Sequence, residues 1–166
     1  MRTLLFLDID GTLIPFGGRT PYATYTGPAL PDHPLLDRLD PALGPGLLSL
    51  GCEMAWATTW GEDANTVVAP WLGLPRLPVV DWPERADETF RPVGVHWKTE
   101  PLLARAAGRP FVWLDDEITD ADRAWVAARH TAPALLRRVD HRVGLTPADL
   151  AGLRERLRET GLHRAL

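Results

Sequence analysis

Leu4-Leu5-Phe6-Leu7-Asp8-Ile9-Asp10-Gly11-Thr12-Leu13 runs an apolar strand into two carboxylates on alternate residues, and then into a glycine that turns the chain. In a strand, residues i and i+2 share a face, so Asp8 and Asp10 are expected to project together beyond the strand's C-terminal end. Two like charges that close need a cation or a proton between them. The stretch therefore reads as a divalent-metal site holding a nucleophile or an acid/base, at the edge where open α/β sheets place their ligands. The plain alternative is an aspartate-rich turn with no chemistry.

The rest of the chain repeats the pattern. Between Ile14 and Pro34 the punctuation by Gly17-Gly18, Pro21, Gly27-Pro28 and Pro31 predicts a loop or flap over 14–34 beside the acidic pair. A short helical pattern follows Pro41 and runs to Leu50, poorly served by Gly44 and Gly46. Glu53 to Ala57 reads as a second strand ending at Thr58-Thr59-Trp60. A helix over Glu62 to Leu72, a short strand over Leu77 to Val80, a loop over Asp81 to Gly94 and a helix over Trp97 to Ala107 come next. The apolar run Pro110 to Leu114 suits a strand buried on both faces and ends at Asp115-Asp116. A helix from Thr119 to His130 and a last strand from Ala134 to Val139 precede Thr146-Pro147-Ala148-Asp149. That tetrad is a helix start with a capping threonine, proline at the first position and an acid three residues on, opening a helix to about Glu159. Such alternation predicts an α/β fold, a three-layer sandwich around a mostly parallel, five-stranded sheet. Parallel strands end on one edge, so Asp8/Asp10, Thr58/Thr59 and Asp115/Asp116 should converge there.

Composition narrows the function. With 166 residues, 45% of them hydrophobic, the chain suits one domain over 1–166. A net charge of −4 argues against an extended nucleic-acid footprint, although Arg137, Arg138, His141 and Arg142 form a local basic cluster. Cys52 is the only cysteine, so no intrachain disulfide is possible and a buried, inert thiol is expected. The N-terminal apolar segment is too short for a signal peptide and no stretch could span a membrane, so a soluble cytoplasmic protein is expected. Lys98 is the only lysine in a chain that otherwise uses arginine, which suggests a site wanting a compact ammonium in place of a planar fork.

Taken in order, Asp8-Ile9-Asp10-Gly11-Thr12, Thr58, Lys98 at a helix start, and Asp115-Asp116 with Asp120 resemble the four motifs of the haloacid dehalogenase (HAD) superfamily of phosphohydrolases. The resemblance implies a Rossmann-like core and an aspartyl-phosphate mechanism. Asp8 would be the nucleophile, and Asp10 the acid that protonates the leaving oxygen and later takes a proton from water. Mg²⁺ would bind the Asp8 carboxylate, the Asp10 carbonyl and Asp116, with Asp115 and Asp120 as outer or alternate ligands. Thr58 would bind a phosphate oxygen, with Thr59 one register step away, helped by backbone amides near Thr59 and Gly11. Lys98 would pair with both phosphate and Asp8. Cap domains in this superfamily follow the first motif or separate the second from the third, and both intervals are too short here for a large cap.

An uncapped site admits a phosphorylated small molecule, gripped by the flap with Tyr22, Tyr25 and Arg19, or a nucleic-acid terminus stacked on Trp60 or Trp97. The layout also resembles the small phosphatase domains of multifunctional RNA-repair proteins. No membrane and no obligate protein partner are expected. Two rival readings are a binding module that keeps the fold without catalysis, and a metal-dependent glycosyltransferase, which leaves Lys98 unexplained.

Overall fold

The computed structural model describes residues 2–28, 33–82 and 93–162. Residues 83–92 of the loop expected over 81–94, and residues 29–32 of the flap, lie outside the described residues. Four strands, β1 (Leu4–Leu7), β2 (Glu53–Trp56), β3 (Phe111–Asp115) and β4 (Ala134–Arg138), form one sheet in the order β2-β1-β3-β4. Every pairing is parallel, with Leu7 level with Trp56 on one side and with Leu114 on the other. From β1 the chain goes first to one neighbour and then crosses to the other, which makes the C-terminal end of β1 the switch point where such sheets leave a crevice.

Side chains alternate across the sheet as the two-residue period requires. Leu5, Leu7, Val112 and Leu114 face a layer built from α1 (Leu43–Leu48), α2 (Ala69–Leu72) and α5 (Pro147–Glu159). Leu4, Phe6, Phe111 and Trp113 face α3 (Thr99–Ala106) and α4 (Asp120–Arg129). Three layers result, as expected for a Rossmann-like α/β sandwich, and no helix among the described residues is long and apolar enough to cross a membrane. Between β1 and β2 the regular structure among the described residues is a 3-10 turn (Leu36–Arg38) and α1, so no cap domain is inserted there.

Both capping boxes are complete. Thr119 accepts from the Asp122 N–H at the start of α4, and Thr146 from the Asp149 N–H at the start of α5, with each aspartate bonding back to the cap. The fifth strand is not. Leu77 to Val80 contributes a single parallel bridge, Trp56 to Val79, because Pro78 has no N–H to extend a ladder. The stretch is docked instead by Asn65, whose amide oxygen accepts from Trp56 Nε1 and the Leu77 N–H and whose NH₂ donates to the Leu77 carbonyl. Asn65 lies in a π-helical turn (Ala64–Val68) that leads into α2, where a plain α-helix was expected over 62–72. Cys52 is half-buried and unpaired, and burial pushes its thiol up to about 11, which keeps it unreactive.

Gly44-Pro45-Gly46 lies inside α1 despite its poor helix propensity. Packing explains it, since a Cβ on Gly44 would lie 1.7 Å from the Leu72 carbonyl oxygen, so the α1 and α2 backbones meet there. At Gly46 the nearest obstacle is the flexible end of Leu150, at 2.7 Å. Propensity alone would make Gly44→Ala stabilising by roughly 1 kcal/mol; overpacking makes it destabilising by about 1–3 kcal/mol. Gly46→Ala should be close to neutral. Urea unfolding of the two variants checks the contrast.

Candidate active site

The alternation that builds the core also places the first charges. Asp8 continues the Leu4/Phe6 face and Asp115 the Phe111/Trp113 face, and α3, which covers that face, begins just after Lys98. The three side chains meet: Lys98 Nζ lies 2.9 Å from Asp8 Oδ1 and 2.7 Å from Asp115 Oδ2. All three are buried. Asp115 is engaged at both oxygens, since Oδ2 also accepts from Trp113 Nε1 at 3.2 Å and Oδ1 accepts from the Glu117 N–H at 2.9 Å. Asp116, half-buried, adds a third carboxylate, and one oxygen from each of Asp8, Asp115 and Asp116 falls within 4.8 Å of the others.

One ammonium does not neutralise three carboxylates. Burial first, and then repulsion from Asp115, pushes Asp8 up to about 7 against the pull of Lys98 and the Ile9 N–H. Burial and Asp115 likewise raise Asp116. Burial works against the charge on Lys98, but Asp8 and Asp115 outweigh it and raise its pKa, so it stays protonated. An all-oxygen donor set carrying surplus negative charge fits a hard divalent cation. The Asp10 carbonyl, which accepts from no described residue, adds a neutral oxygen donor.

Gly11 makes room for Asp116. Its φ of +74° is a conformation that side-chain-bearing residues avoid, and a Cβ there would lie 2.4 Å from Asp116 Oδ2. Thr58 at the end of β2 is buried and Thr59 is exposed. The Thr58 hydroxyl accepts from the Trp60 N–H at 3.3 Å, leaving its proton free to donate.

A family model described as the HAD domain in Swiss Army Knife RNA repair proteins matches residues 4–150. The chain belongs to that family. No curated protein and no solved structure matches it. Membership makes this a HAD domain with the hydrolase fold, of the phosphatase type; the family generally uses a divalent metal, and the chain carries an acidic cluster that could hold one.

The structure places the other expected site residues in different settings. β1 ends at Leu7, so strand alternation does not carry through to Asp10, whose exposed carboxylate accepts from Trp60 Nε1 at 2.9 Å while Asp8 is buried against Lys98. Trp60 is thus committed to Asp10, and its ring lies 4.5 Å from that of His33. The Gly11 N–H, expected to face phosphate, donates to the Ile14 carbonyl at 2.9 Å, whereas the N–H groups of Asp10 and Thr59 donate to no described residue. Asp120, expected among the metal ligands, opens α4 fully exposed and 3.6 Å from Arg123, away from the cluster. Arg19 is exposed in the flap, without an ion pair among the described residues.

Asp122 went unnoticed in the sequence because it reads as a capping-box acid and nothing more. Fully buried, it accepts from the His96 N–H at 2.7 Å, the Thr99 hydroxyl at 2.6 Å and the Thr119 N–H at 2.8 Å. It therefore clamps the α3 start that carries Lys98 onto α4. Burial opposes its charge, yet the hydrogen bonds from Thr99, Thr119 and His96 outweigh that and hold its carboxyl below its ordinary 3.8. A depressed folded-state value gives stability that is present above 3.8 and is lost as pH falls through the lower folded value. Asp122→Asn should cost on the order of 2–3 kcal/mol at neutral pH, and its deficit against wild type should shrink on acidification below 3.8. Urea unfolding across that range tests both the sign and the window.

Proposed function

We propose that this HAD domain is a Mg²⁺-dependent phosphatase that hydrolyses a phosphomonoester through an aspartyl-phosphate. The observation that carries the reading is the buried Lys98 ammonium, within 2.9 Å of Asp8 and 2.7 Å of Asp115. The family description supports a terminal phosphate on RNA as the substrate class. A binding module would have no use for the buried Lys98 contact with two acids, and a glycosyltransferase would leave the lysine without work.

The chemistry needs a nucleophile, neutralised equatorial oxygens and a proton for the leaving group. Asp8 forms the bond to phosphorus while the bond to the leaving oxygen breaks, and Asp10 supplies that oxygen's proton. Water then attacks the aspartyl-phosphate, gives its proton to Asp10 and frees Asp8 with release of inorganic phosphate. Lys98, the Thr58 hydroxyl and the free N–H groups of Asp10 and Thr59 hold the phosphoryl oxygens. Mg²⁺, held by Asp8, Asp116 and the Asp10 carbonyl, would supply charge neutralisation that lets phosphate approach carboxylate. Trp60 orients Asp10 through its indole N–H and Thr58 through its backbone N–H.

Turnover of an aryl phosphate should require Mg²⁺ and disappear in Asp8→Asn; metal-independent turnover, or an active variant, refutes the proposal. Asp10→Asn should slow turnover on the order of 10²-fold or more, and more for an alkyl than for a nitrophenyl ester, since the latter leaves without a proton. A thermal-shift titration isolates the metal step. Mg²⁺ at 100 times its Kd should stabilise wild type by about 2.7 kcal/mol, and Gly11→Ala, which pushes Asp116 aside, should blunt that response.

A further inference from the structure

The turn that follows β4 has no part in this chemistry, yet it is stitched to the site on every side. Val139 N–H donates to the Asp115 carbonyl at 3.0 Å, Leu145 N–H to the Thr12 carbonyl at 2.7 Å, and Phe16 N–H to the His141 carbonyl at 2.8 Å. Arg138 reaches back from the end of β4, and its Nε donates to the carbonyl of Asp116 at 3.0 Å. Together Arg138, Val139, Asp140, His141 and Arg142 line a cavity of about 420 Å³. Gly18 of the flap backs onto the same turn, since a Cβ there would lie 2.7 Å from the Arg142 carbonyl, so the chain at the exposed Arg19 runs next to the turn.

Charge is distributed unevenly around this cavity. Arg137 next door is neutralised by Asp149, but Arg19, Arg138 and Arg142 form no ion pair with any described residue. The acid within the rim is Asp140, whose carboxylate accepts from the Arg142 backbone N–H. A domain with a net charge of −4 thus presents three guanidinium groups without an ion-pair partner among the described residues, against the one rim carboxylate of Asp140. Next to them the ring of Phe16, 39% exposed, is held against His141 with centroids 5.0 Å apart. A cationic groove with an exposed aromatic platform is the pairing that holds single-stranded nucleic acid, the cations tracking phosphodiesters while the ring stacks a base.

We propose that the Arg138–Arg142 turn, with Arg19 and Phe16, is a subsite for the strand behind the scissile phosphate, so that the domain selects a single-stranded polynucleotide end over a mononucleotide. The inference rests on the phosphatase reading and adds to it where the second phosphate and its base bind. A phosphopeptide of equal charge would meet the arginines but offer nothing to Phe16.

Steady-state kinetics with Mg²⁺ would compare a nitrophenyl phosphate, mononucleotides and single-stranded tetranucleotides phosphorylated at either the 3′ or the 5′ end. A phosphopeptide of matched charge serves as control, with salt raised from about 50 to about 200 mM. The tetranucleotide with the preferred end should show a KM roughly 10-fold below that of its mononucleotide, and its log kcat/KM should fall more steeply with log salt by about 1 to 2. Arg142→Gln should reduce that slope by about 1. Phe16→Ala should raise the oligonucleotide KM roughly 5-fold or more with the slope unchanged. Equal KM and slope for mono- and tetranucleotide, or an equal gain for the phosphopeptide, overturns the subsite. Loss of turnover on every phosphate, nitrophenyl included, would instead overturn the phosphatase reading beneath it.

Discussion

Everything in this domain is arranged around an ammonium buried between carboxylates. Breaking a buried pair by removing one partner costs about 3–5 kcal/mol because it leaves the other charge stranded. Lys98 has two partners, Asp8 and Asp115, from neighbouring strands. It is held in turn by its helix, which Asp122 fixes to α4. The charge count is still negative once Lys98 is included, and that surplus makes the cluster receptive to a cation and, through it, to phosphate. An arginine could not replace this lysine easily, since a planar fork needs a wider gap than one ammonium between two acids.

Much of this was legible in the chain because strand ends are legible. Apolar runs that stop at a polar residue identified Asp8, Thr58 and Asp115-Asp116, and parallel connectivity alone predicts that they share an edge. The singularity of Lys98 suggested a site wanting a compact ammonium, and the structure places it between Asp8 and Asp115. Less visible was whatever depended on the direction of a side chain past the last hydrogen-bonded residue. Asp8 and Asp10 were expected to project together from one strand, but the strand ends at Leu7, and Asp10 is exposed and hydrogen-bonded by Trp60 where Asp8 is buried against Lys98. Asp120 was drawn into the metal set by the family resemblance, although the first turn of a helix with an N-cap at Thr119 leaves it fully exposed. A fifth strand was expected over Leu77 to Val80, and Pro78 reduced it to a bridge. Asp122 could not be told from an ordinary capping acid, because its second partner lies 26 residues away at His96.

Stiffness is unevenly provided. The side chains of the acidic cluster and Lys98 sit at the ends of packed strands and on a clamped helix start, which fixes their placement. In the proposed subsite the flap and the turn after β4 form the substrate side. They are joined to each other by Phe16 and His141 through two hydrogen bonds and a ring contact.

The raised ionisation of Asp8 carries a cost that falls on the fold itself. Because the native carboxyl holds its proton more tightly than the unfolded one, folding stability declines as pH climbs from the ordinary 3.8 through about 7. At neutral pH, without a bound cation, the cluster is a pocket of electrostatic frustration that the surrounding core must outweigh. Neutralising its acids would relax that frustration while ending the chemistry. Durability and reactivity are therefore set against each other at this single point, with the cation as the natural means of reconciling them.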